Sequence, residues 1–173
     1  MRNLLLESLR GSLTESPPPA DEAMMAELAR SLDERARRKL GRSLSIRQVD
    51  AGSCNGCELE IHALNNAFYD LERFGLHFVA SPRHADVLLV TGPLTKNMRE
   101  ALERTYAATP DPKWVIAAGD CARDGGVFAG SYACVGGISS AVPVDLHVPG
   151  CPPTPTQLLQ GLISLLDAAT AKG

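Results

Sequence analysis

The sequence predicts an α/β fold, a mostly parallel sheet of four to five strands with helices on both faces, preceded by an N-terminal helical arm. Three observations carry this. From Leu44 onward, short apolar runs alternate with longer helical patterns, the rhythm of strand–helix–strand units. Two of the runs, 86–91 (Asp-Val-Leu-Leu-Val-Thr) and 113–118 (Lys-Trp-Val-Ile-Ala-Ala), are almost continuously apolar, as strands covered on both faces are. Gly- and Pro-rich turns follow three of the predicted strands, and those turns carry four of the five cysteines.

Taken in order, Leu4, Leu5, Leu9 and Leu13 recur at helical spacing, and Ser16-Pro17-Pro18-Pro19 interrupts them with an extended segment. Residues 21–40 read as a charged helix with an apolar stripe of Ala23, Met24, Leu28 and Leu32. Residues 1–43 thus form an arm, either loose or docked on a partner subunit or membrane surface, ahead of an α/β domain over 44–173. In that domain, strands are expected over 44–49, 76–80, 86–91, 113–118 and 144–148. Helices are expected over 56–73, 97–108 and 154–171, the last opened by Thr154-Pro155-Thr156.

Bulk properties exclude several classes. The formal net charge is −3, which carries no nucleic-acid signal. No run approaches the length of a membrane span. The chain opens without a secretory pattern, and the twin arginine Arg37-Arg38 leads into no hydrophobic stretch. The expectation is a cytoplasmic, reducing setting, where clustered cysteines mean metal or redox chemistry. Cys134, between Ala133 and Val135, reads as a small buried hydrophobe. His62, His77, His84 and His147 show no ligand spacing, and no Gly-rich phosphate loop supports a flavin.

Cys54, Cys57, Cys121 and Cys151 fall just after predicted strands. In an open parallel sheet that edge is where ligands bind, so the four thiols are expected to share one metal site. The pair Cys54-x-x-Cys57 sits on one tight turn, with Gly56 letting the backbone wrap a cluster. Gly119 and Gly150 precede the other two thiols and allow close approach. Pro152-Pro153 stiffens the last turn. The Cys-Pro step points to iron–sulfur. A zinc site of four cysteines is the alternative, though zinc modules usually bring a second C-x-x-C pair; four unrelated thiols is another.

The pattern Cys54-x-x-Cys57-x-x-Glu60, then Gly119-Asp120-Cys121, then Pro149-Gly150-Cys151-Pro152-Pro153 resembles the small subunit of energy-converting (group 4) nickel–iron hydrogenases of the formate hydrogenlyase type. It is also similar to the homologous complex I subunit that carries cluster N2. The resemblance spans roughly 44–168 and includes 128–132 (Phe-Ala-Gly-Ser-Tyr) and Val135-Gly136-Gly137. It implies a flavodoxin-like fold holding one [4Fe-4S] cluster on Cys54, Cys57, Cys121 and Cys151. It also implies a large hydrogenase-like subunit, a ferredoxin-like iron–sulfur subunit and membrane subunits as partners, at the cytoplasmic face of the inner membrane. The chain itself would carry no catalytic residue. Complex I subunits place their first two cysteines side by side, whereas Asn55-Gly56 separates them here, which favours the hydrogenase arrangement over a quinone-reducing one. The absence of a twin-arginine leader, and the short stretch after Cys151, set it apart from periplasmic uptake enzymes. Glu60 matches an acidic position of the family and is a candidate contact to the cluster surroundings or to the large subunit. A carboxylate stabilised by the helix N-terminus is the simpler reading of Glu60, and equally of Glu58. Arg47, Arg83 and Arg123 are candidates to face the cluster's charge.

Overall fold

The computed structural model describes residues 22–171; the leucine stretch and proline break before them lie outside the described residues. Five strands form the main sheet: β1 (Ser45–Asp50), β2 (His77–Phe78), β3 (Val87–Thr91), β5 (Trp114–Ala118) and β7 (Leu146–Val148). Their order is β2-β1-β3-β5-β7 and every pairing is parallel. This is the doubly wound 2-1-3-4-5 order, whose crevice opens between the first and third strands. A separate antiparallel pair joins β4 (Leu94–Thr95) to β6 (Cys134–Gly136).

The two faces of the sheet can be read residue by residue. Val87 and Leu89 of β3, with Ile116 and Ala118 of β5, face one way. They pack under α1 (Glu22–Leu40), α2 (Gly56–Ala63) and α5 (Pro155–Ala171). Leu88, Val90, Val115 and Ala117 face the other way, toward α3 (Lys96–Ala108) and the short α4 (Asp120–Asp124). Period-2 alternation therefore survives inside strands whose both faces are buried, as the apolar runs predict.

Three elements are shorter than their sequence patterns. The helix expected over 56–73 stops at Ala63. There the Asn66 carboxamide oxygen accepts from the backbone N–H of Phe68 (2.9 Å) and Tyr69 (3.0 Å), offering the chain a turn in place of helical bonds. A 3₁₀ turn, Leu71–Phe74, follows. The strand expected over 76–80 pairs only at His77 and Phe78. At β7, the Asp145 carboxylate takes the Val115 N–H at 2.9 Å, and regular pairing begins at Leu146, two residues after the expected start.

α1 is built into the core. Its buried side is Met25, Ala29, Leu32 and Ala36, rotated from the predicted stripe: Met24 is exposed and Leu28 half-buried. The helix lies along α5, with the Thr156 hydroxyl 3.2 Å from the Met25 sulfur and Arg35 paired to Asp167 at 2.7 Å. At the amino ends of the strands, buried Asp86 takes two bonds from Arg42 (2.6 and 3.0 Å) and one from the Ser45 N–H (2.9 Å). Among the described residues, no helix is long and apolar enough to cross a membrane.

Leu32 is fully buried, so Leu32→Ala is expected to cost about 2–5 kcal/mol, measured by urea unfolding; an unchanged midpoint would show that α1 adds nothing to the core. Asp86→Ala strands the Ser45 N–H and is expected to cost about 1–3 kcal/mol in the same assay.

Candidate metal–sulfur site

The structure brings Cys54, Cys57, Cys121 and Cys151 to one hollow at the carboxyl edge of the sheet. Cys54 lies in the turn after β1, and Cys57 in the first turn of α2. Cys121 is in α4 directly after β5, and Cys151 follows β7. Cys57 and Cys121 are buried at the floor, while Cys54 and Cys151 are exposed at the rim. Cys134 stands apart on β6 and is half-buried rather than buried.

Each turn is held by a carboxylate taking backbone N–H groups, the local chemistry that turns favour. One oxygen of Asp50 accepts from Gly52 and Ser53, both at 2.7 Å. Asp124 accepts from Gly126 at 2.9 Å, and this bond, with Arg123 beside it, holds the Asp124 carboxyl below its usual range. The two single-cysteine turns are laced together: Asp120 N–H donates to the Gly150 carbonyl at 2.8 Å, and Gly150 N–H to an Asp120 carboxylate oxygen at 3.3 Å.

The predicted glycines divide by role. Gly119 has φ +91, and a Cβ built there would stand 2.8 Å from the Cys57 sulfur and 3.3 Å from the Gly150 carbonyl. Only glycine fits, on conformation and on space. Gly150 also has positive φ, with Pro153 packed against it. Gly56 does not carry the left-handed step of the C-x-x-C turn; Asn55 does, at φ +71, a conformation asparagine tolerates. A Cβ on Gly56 would meet the Cys54 sulfur only at ordinary contact distance, 3.6 Å.

Sequence reasoning singled out Glu60, but the carboxylate woven into the site is Glu58. Glu60 is half-buried and makes no side-chain hydrogen bond among the described residues. Glu58 is buried beside Cys57, accepts from the Ser53 hydroxyl at 2.6 Å and bonds the Thr91 hydroxyl. Ser53 in turn accepts from the Asn55 N–H at 3.0 Å. The network ties the Cys54 turn to the end of β3. Gly92, just beyond, lines the hollow with φ +74, and a Cβ there would collide with the Ser53 backbone nitrogen at 2.4 Å. The apolar run ending in Thr91-Gly92 was the available signal for both residues. Of the arginines, Arg123 pairs with Asp120 and Asp124, and Arg47 lines a different cavity.

Burial and surrounding negative groups decide the state of the floor thiols. Loss of hydration, then Glu58, then the neighbouring sulfurs push the Cys57 thiol up to about 12. Burial also raises Cys121, against a backbone hydrogen bond from Val127 that lowers it. Without a bound cation the floor of the hollow is therefore protonated at neutral pH, and thiolate ligation there means displacing those protons.

The chain is similar to known proteins in sequence and in fold. Residues 54–165 match the family model described as NADH ubiquinone oxidoreductase, 20 Kd subunit. The chain is 46% identical over 135 residues to formate hydrogenlyase subunit 7 of Escherichia coli, a match covering 78% of this chain. It spans about half (53%) of that relative's length. It is 48% identical over 128 residues to a probable membrane-bound hydrogenase subunit of Pyrococcus furiosus, covering 74% of this chain and 77% of that protein. Among solved structures, a chain of the membrane-bound sulfane sulfur reductase, an archaeal respiratory membrane complex, superposes with TM-score 0.65 at 36% identity, covering 79% of this chain and 74% of that one. A chain of an NAD⁺-reducing nickel–iron hydrogenase shares the fold, with TM-score 0.57 at 21% identity, covering 73% of this chain and 93% of that one.

In the metal-free chain, iodoacetamide at neutral pH is expected to label Cys54 and Cys151 first and Cys57 last, because reaction needs an accessible thiolate. Peptide mass spectrometry over a time course reads the order; early modification of Cys57 would contradict the buried floor.

Proposed function

Because this chain belongs to the NADH ubiquinone oxidoreductase 20 kDa subunit family, we propose that it is the electron-transfer small subunit of a membrane-associated, hydrogenase-like complex. In this reading Cys54, Cys57, Cys121 and Cys151 hold one [4Fe-4S] cluster, which when bound accepts and returns one electron. It would serve between a large, nickel–iron-hydrogenase-like subunit and a ferredoxin-like subunit, beside membrane subunits, at the cytoplasmic face of the inner membrane. The observation that carries the proposal is the convergence of four thiols, from three separate turns, on one hollow.

The donor set and its surroundings fit such a group. The four thiols ring a space instead of closing on a point: among the described residues, no three His, Cys, Asp or Glu side chains are placed to hold one metal ion. A lone zinc would draw its sulfurs to about 2.3 Å. The missing Cβ at Gly119 leaves room beside the Cys57 sulfur, and the nearby Val127 N–H favours the Cys121 thiolate, as backbone donors that tune a cluster do. Glu58, Ser53 and Thr91 fix the Cys54–Cys57 turn without competing as ligands. The rim thiols are exposed, and so are Leu59, two residues after Cys57, and Val127, six residues after Cys121. That face suits coverage by the large subunit, which short-range electron transfer requires.

The second reading, a complex I-like subunit serving quinone, rests on the family description. The two-residue gap between Cys54 and Cys57 favours the first reading, as does the identity to hydrogenase-complex subunits. Hydrogen-dependent dye reduction by the intact complex, against quinone reduction, separates them.

Anaerobic purification is expected to yield about four irons and four sulfides per chain; zinc without sulfide would refute the cluster. Cys121→Ser should abolish or convert the low-temperature EPR signal. Gly119→Ala should lose iron, since the added methyl strains the turn and fills the space beside the Cys57 sulfur, while circular dichroism checks that the helices and sheet are kept.

A further inference from the structure

Four carboxylates shape the turns around the thiol hollow, and one of them differs in its surroundings. Asp50 is exposed, and Asp120 and Asp124 share the guanidinium of Arg123. Water or a cation therefore screens all three. Glu58 directly follows Cys57 and is only 5% exposed. Among the described residues its partners are two hydroxyls, Ser53 and Thr91, and no cation. A buried carboxylate without a cation is costly, so its presence requires a reason.

Tying the turn together is not reason enough, because an amide would do the same. The Ser53 hydroxyl accepts from the Asn55 N–H, which leaves its own proton for one Glu58 oxygen. The Thr91 hydroxyl reaches the other Glu58 oxygen and also stands 3.3 Å from the Val49 carbonyl. In glutamine at this position the oxygen would accept from Ser53 and the NH₂ would donate to Thr91. The Thr91 proton would then turn to Val49. What the carboxylate adds over that amide is one negative charge. Its reach to the floor of the hollow is visible at Cys57: after loss of hydration, Glu58 is the largest cause of the rise at that thiol.

We propose that Glu58 sets the electron affinity of the thiol-bound cluster: its buried charge beside Cys57 opposes the entry of an electron and holds the reduction potential low. This rests on the cluster reading given above. Reduction takes one electron from a one-electron donor, such as a reduced iron–sulfur protein, and adds one negative charge to the site with no bond made or broken. Net charge is among the main determinants of a cluster's potential, and salt screens a buried charge far less than an exposed one. The consequence is a carrier that gives up its electron readily.

The test is a redox titration of the full chain, purified anaerobically with its iron and sulfide and followed by low-temperature EPR. Glu58→Gln should keep about four irons and four sulfides per chain. Its midpoint should rise by about tenfold or more in the electron-binding equilibrium, about 59 mV for one electron. Thr91→Val keeps the charge and removes one hydroxyl, so its midpoint should not rise to that of Glu58→Gln. An unchanged or lowered midpoint in Glu58→Gln would overturn the proposal, as would an equal rise in Thr91→Val. Loss of iron from Glu58→Gln would overturn it too, since the side chain would then be holding the turn in a way an amide cannot. Absence of iron and sulfide from the unaltered chain would instead refute the cluster itself, and this proposal with it.

Discussion

Parallel alignment of the strands is the constraint on which the rest of this molecule depends. With β1, β3, β5 and β7 all pointing the same way, each connection must leave by the carboxyl edge and return over a face. The helices that make the return cover the apolar strands. The turns that begin each departure gather along one rim. Cys54 and Cys151 are far apart in the chain, yet they line one hollow because the strands before them, with β3 and β5 between, end on the same rim. The opposite rim, where Asp86 gathers Arg42 and the Ser45 N–H, carries a structural clamp and no candidate chemistry.

The turns themselves are shaped by acids. Asp50, Glu58, Asp120 and Asp124 each accept from backbone N–H or hydroxyl groups around the thiols. This is an economical way to order irregular backbone, since one carboxylate satisfies two donors. It also surrounds the floor sulfurs with negative charge, which adds to burial in keeping Cys57 protonated. The scaffold that orders the thiols thus opposes the ionisation of Cys57.

Much of this was legible in the sequence. The β3 and β5 runs, the strand–helix rhythm and the placement of four cysteines at strand ends all follow from period and composition. What was not legible depended on neighbours. Glu58 and Glu60 are two positions apart, about 200° around a helix, so one faces in when the other faces away; only the packing of α2 over Thr91 selects Glu58. The buried side of α1 includes Met25 and not Met24 because α5 sets its rotation. The early end of α2 reflects a side-chain competition at Asn66 that hydrophobic spacing does not register.

The pairing of α1 with α5 has a consequence for how the protein is made. The first described helix buries Ala29, Leu32 and Ala36 in a cluster with Leu158, Leu159 and Leu162 of the last. A chain leaving the ribosome N-terminus first cannot form that cluster until α5 emerges, and Cys151 emerges only just ahead of α5. Until then the thiol set and this part of the core are both incomplete. Completion of the core and convergence of the four thiols therefore coincide.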